Sequence, residues 1–159
     1  MISCGRSDMN EPEDDDELEA FIIEASRAWE DLQCAVWGSR WDYSRPSLDF
    51  SRGSLHTLSE WLVRAPAECA AAELLRSAAQ YFGETVQEHV LAAWERRDDD
   101  TIGLRVRCVD GSARHISLLD VLREWLALQC DDPSATDVFI RHFDAVVTDA
   151  MPVRAGRTT

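Results

Sequence analysis

The segment Ile102-Gly103-Leu104-Arg105-Val106-Arg107-Cys108-Val109-Asp110-Gly111-Ser112-Ala113-Arg114-His115-Ile116 reads as a β-hairpin. From Leu104 to Cys108 apolar and polar residues alternate strictly, the period of a strand buried on one face. Asp110-Gly111 is a tight-turn signal, and Ala113 to Ile116 is the returning strand. Upstream, Leu91 to Arg97 is also strand-like, with Asp98-Asp99-Asp100 as the turn between. The spacing therefore predicts a small antiparallel meander over roughly residues 91–116.

On both sides of the meander the period changes to that of helices. Leu18, Phe21, Ile22, Ala25, Trp29, Leu32 and Val36 step by threes and fours, which predicts one long helix that Gly38 ends. Leu55, Leu58 and Leu62 mark a second helix, with Ser51 or Ser54 as its N-cap. Beyond Pro66, a third runs over roughly 67–89 through Leu74, Ala78, Tyr81 or Phe82, and Val86. Gly83 interrupts it at a cost of about 1 kcal/mol relative to alanine, the mark of a backbone or a ring in close approach. After the hairpin, Ser117 and Asp120 open a fourth helix with Leu118, Leu119, Leu122, Trp125 and Leu126 inward. Asp132-Pro133 leads into a fifth through Phe139, Phe143, Val146 or Val147, and Ala150, and Pro152 ends it. Helices grouped before and after a meander predict an α+β domain with about five helices on one face of the sheet.

With 159 residues the chain fits one domain, and an apolar share of 45% can fill a core. The expected layout is an acidic flexible leader at 1–16, a single domain at 17–151 and a flexible tail at 152–159. Thirty acids oppose sixteen bases, all of them arginine, for a net charge of −14. The first nineteen residues hold eight acids and one arginine. Such a balance argues against nucleic acid as a partner, since phosphate contact needs clustered cations. No apolar run is long enough for a membrane span, so the expectation is a soluble, cytoplasmic protein. Arginine without lysine points to a GC-rich, bacterial coding sequence. Cys4, Cys34, Cys69, Cys108 and Cys130 form no C-x-x-C pair and read as reduced, mostly buried thiols. With His56, His89, His115 and His142 they lack the close spacing of a zinc site, so neither metal nor cofactor is expected.

Nucleophile elbow, phosphate loop, dinucleotide fingerprint and zinc-protease motif are all missing from the sequence, and no catalytic residue is assigned. Glu84 is the most informative acid, because it follows Gly83 on an otherwise apolar helix. A carboxylate there needs a partner, either the indole of Trp94 or an arginine such as Arg96, Arg105 or Arg107. Glu84, His89 and Trp94 then form either a structural polar contact or the lining of a small-molecule pocket, in which carboxylate and imidazole could exchange protons. Trp37, Arg40, Trp41, Tyr43 and Arg45 cluster outside the main apolar stripes, and Trp, Tyr and Arg are the residues enriched at interface hot spots. They are the candidate partner-binding surface.

Ser47-Leu48-Asp49-Phe50-Ser51, Ser54-Leu55 and Leu58, then Ala79-Gln80-Tyr81-Phe82-Gly83-Glu84-Thr85-Val86, then Trp94, make a pattern over about residues 46–148. It is similar to a bacterial domain family of unknown function whose members carry LDYS…SL, YxGEV and RW motifs. The chain departs from it at Thr85 and at Ala93-Trp94. The resemblance implies the same order of elements; the family has no assigned activity, so it implies no chemistry. The expected function is that of a small acidic protein that binds another protein. An immunity-type or phage-defence role fits by association, and a ligand-binding or enzymatic pocket at Glu84, His89 and Trp94 is the alternative.

Overall fold

The computed structural model describes residues 11–38, 47–64, 71–97, 101–128 and 137–153. In chain order the elements are α1 (Glu11–Ala25), α2 (Ala28–Val36), α3 (Ser54–Arg64), α4 (Ala71–His89), β1 (Ala92–Arg96), β2 (Ile102–Arg107), β3 (Ala113–Ile116), α5 (Leu118–Leu128) and α6 (Val138–Val147). The strands form one antiparallel sheet ordered β1-β2-β3, with Trp94 opposite Leu104 and Leu104 opposite Ile116. The fold is α+β.

The first helix departs from its expected form. Its apolar stripe belongs to two helices, α1 and α2, that meet at Ser26 and Arg27. There the Arg27 amide donates to the Glu24 carbonyl in a tightened turn, and the Ser26 hydroxyl donates to the carbonyl of Ile23. The break lets Ala25 and Ala28 both face inward, while Ile22, on the predicted stripe, is exposed. Part of the expected leader at 1–16 is helical, because α1 begins at Glu11; residues 1–10 lie outside the described part. At the other end Pro152 and Val153 are not a free tail. The Val153 amide bonds to the His89 carbonyl at 3.1 Å; residues 154–159 lie outside the described part.

Helix α4 is the axis of the domain and packs against α1, α2, α3, α5, α6 and β1. Its second half is buried on nearly every side, through Ala78, Tyr81, Phe82, Thr85 and Val86. The Ser51 hydroxyl caps α3 by accepting from the Ser54 amide, and Ser117 caps α5 by accepting from Asp120. Along α5 the buried residues are Leu118, Val121, Leu122 and Trp125; Leu119 and Leu126, expected inside, are exposed. The residues between Val147 and Val153 act as a clip at the open end of the sheet. Met151 accepts from the Leu91 amide at 2.8 Å and donates to the Arg107 carbonyl at 2.9 Å, while Val109 donates to Asp149.

Candidate functional site

Residues singled out by the sequence fall in two places, and the structure adds a third. At the first, helix α4 meets strand β1. The Trp94 ring lies so close to Gly83 that a Cβ there would sit 2.1 Å from its Cη2 atom. This is the close approach that the glycine implied. The indole Nε1 of Trp94 donates to Glu84 Oε1 at 2.9 Å, and the edge of its ring meets Phe21 of α1 at 4.9 Å. Trp94 thus fills the space in which a pocket between helix and sheet was expected. Arg96, one of the arginines considered for Glu84, instead reaches Glu17 of α1.

His89 does not join that pair. At the last residue of α4, its Nε2 lies 3.0 Å from the Phe50 carbonyl and its ring stands edge-on to Phe143. It belongs to a second assembly around the buried Tyr81. The Tyr81 hydroxyl accepts from the Phe50 amide at 2.8 Å and shares a hydrogen bond with the Ser54 hydroxyl at 2.7 Å. Phe50 stacks on the Tyr81 ring and adopts φ 61°, a left-handed conformation rare for a bulky side chain. Burial pushes the Tyr81 hydroxyl above its ordinary pKa of 10.0, against the pull of Ser54 and the Phe50 amide. These contacts hold the 47–53 loop on α4, and Arg52 secures it further with a two-pronged ion pair to Asp144 of α6. They are structural, and they were missed in the sequence because nothing local marks Phe50 for a positive φ.

Of the proposed partner-binding cluster, Trp37 packs edge-on against the buried Trp61 at 6.0 Å and is half-buried. Arg40, Trp41, Tyr43 and Arg45 lie outside the described residues. The thiols divide too: Cys108 is buried, Cys34 is exposed against expectation, and Cys4, Cys69 and Cys130 lie outside the described part.

The third place is one that sequence reasoning passed over. Among the described residues, helices cover one face of the sheet, the one carrying Trp94, Leu104, Val106 and Ile116. Strand alternation puts Ala93, Glu95, Gly103, Arg105, Arg107, Ala113 and His115 on the other. Arg97, just past β1, lies on this face as well, with its Cδ 3.4 Å from where a Gly103 Cβ would be. Glu95, opposite Gly103, and His115, opposite Arg105, reach each other diagonally across β2. Among the described residues, Arg97, Arg105 and Arg107 meet no carboxylate, whereas Arg52, Arg76, Arg96, Arg123 and Arg141 each do. A shallow groove of about 380 Å³ runs between Arg105 and Arg107, floored by Leu91, Ala92, Ala93 and Ala113. The signal was available in the alternation of Leu104 to Arg107, which places its two arginines on one face. No protein-family model, curated protein or solved structure matches the chain.

Proposed function

We propose that this chain works by binding another protein rather than by catalysis. The carrying observation is the separation of Glu84 from His89: the carboxylate is bonded to the Trp94 indole and the imidazole is turned to Phe50 and Phe143. An acid–base pair needs both groups within reach of one proton, and here the ring of Trp94 occupies the ground beside Glu84. Two further features support binding: the strong negative charge and the aromatic and arginine segment from Trp37 to Arg45. In its finer form the reading is that of a cytoplasmic bacterial protein of the immunity or phage-defence type. Quantitative affinity capture from native lysate, with Trp41→Ala in parallel, tests it. A stoichiometric protein partner that the variant retains less well is the expected result. Absence of any such partner, with a small molecule that raises the melting temperature of the wild type but not of Glu84→Gln, overturns it in favour of the pocket.

A further inference from the structure

We propose that the uncovered face of the sheet binds an acidic, extended segment of a partner protein, with Arg105 and Arg107 on its carboxylates. This rests on the protein-binding reading and adds a surface to it. A chain with net charge −14 has carboxylates to spare, and most arginines on its helical side are already taken by them. Among the described residues, the three on the open face meet none. Their charge is therefore available to an anion from outside, and a guanidinium can grip a carboxylate with two parallel hydrogen bonds. Arg105 and Arg107 sit two residues apart on β2, a repeat of about 7 Å. An extended chain presents alternate side chains at that same repeat, so two acids at positions i and i+2 match the two arginines. Ala93, Gly111, Ser112 and Ala113 around them leave room for a backbone to lie close.

Nucleic acid fits this face less well. Single-stranded nucleic acid is held by aromatic platforms, and no aromatic side chain other than His115, already engaged by Glu95, stands on the outer face among the described residues. A polyanion would also feel the charge of the whole molecule along its length. A short acidic segment feels mainly what lies within a Debye length, about 10 Å at 0.1 M salt.

The test uses a synthetic peptide alternating Glu and Thr, the same peptide with Gln for Glu, and an oligothymidylate, each titrated into the full chain by calorimetry. The Glu peptide is expected to bind and the Gln peptide not, with affinity falling as salt rises. Arg105→Gln combined with Arg107→Gln should weaken binding at least tenfold, while Arg123→Gln leaves it unchanged. Amide shifts in NMR should fall on Ala93, Arg105, Arg107 and Ala113. Both arginine residues being exposed, unchanged melting temperatures are the check that the double variant is folded. Equal binding by wild type and double variant, equal binding of the Gln peptide, or preference for the oligothymidylate overturns the proposal. A captured partner lost on Trp41→Ala yet indifferent to the double variant also overturns it, and leaves protein binding itself intact.

Discussion

Gly83 makes the sharpest demand of any single residue. In an open helix, replacing glycine by alanine gains about 1 kcal/mol. Here the added methyl group would meet the Trp94 ring, which is pinned by Glu84 on one side and Phe21 on the other. Gly83→Ala is therefore expected to destabilise the protein by about 1–3 kcal/mol, the usual cost of overpacking, in urea unfolding. A gain in stability would show that the ring can move aside. Glu84 gives the companion result. Glu84→Gln keeps an oxygen for the indole N–H and should cost little, whereas Glu84→Leu leaves a buried donor unpaired at about 1–3 kcal/mol. Equal effects of the two would remove the hydrogen bond as the reason for Glu84. The glycine, the glutamate and the tryptophan were legible in sequence, because a glycine and an acid on an apolar helix both ask for a specific neighbour. Phe50 was not: its φ of 61° is imposed by Tyr81 and His89, which lie far along the chain.

Between elements, carboxylates do much of the joining. Glu24 ties α1 to α4 through Arg76, Glu124 ties α5 to α6 through His142, and Asp144 ties α6 to the 47–53 loop through Arg52. Hydrogen bonds from Arg76, His142 and Arg52 hold these three acids below their ordinary values of 4.5, 4.5 and 3.8. A carboxyl that is more acidic when folded adds stability above its unfolded pKa and loses it as pH falls through the folded one. Stability should thus decline from about pH 4.5 downward, and Arg76→Gln should make that decline shallower by removing the share of Glu24. Urea midpoints measured from roughly pH 7 to roughly pH 3 check it, and a variant as steep as the wild type would count against it. The Arg52–Asp144 and Arg76–Glu24 pairs are exposed and the His142–Glu124 pair is half-buried, so the individual effects are small. At this scale the period of the sequence located the strands and the later helices. It ran α1 and α2 together, because Ser26 and Arg27 carry no glycine or proline to announce a break. It also misassigned one side of α5, where Leu119 is exposed and Val121, on nearly the opposite face, is buried.

In the whole molecule, charge and cover are distributed unevenly. Among the described residues, helices lie on one side of the sheet, and Arg97, Arg105 and Arg107, with no acidic partner there, lie on the other. Net charge does not say which charges are paired; pairing decides what an approaching molecule meets, and pairing is a property of the fold. The clip at the open end of the sheet carries a consequence for how the domain opens. Met151 bonds to Leu91 and to Arg107, and Asp149 to Val109, so one short segment ties the end of β1 to the end of β2. None of these amides can be freed without freeing its neighbours, although they come from three distant parts of the chain. Their hydrogens should therefore exchange with solvent together, as one cooperative unit that includes the final turn of α4 through the bond from Val153 to His89. Fraying that starts at residue 153 would not remain local to the terminus; it would spread to the strands that present Arg105 and Arg107.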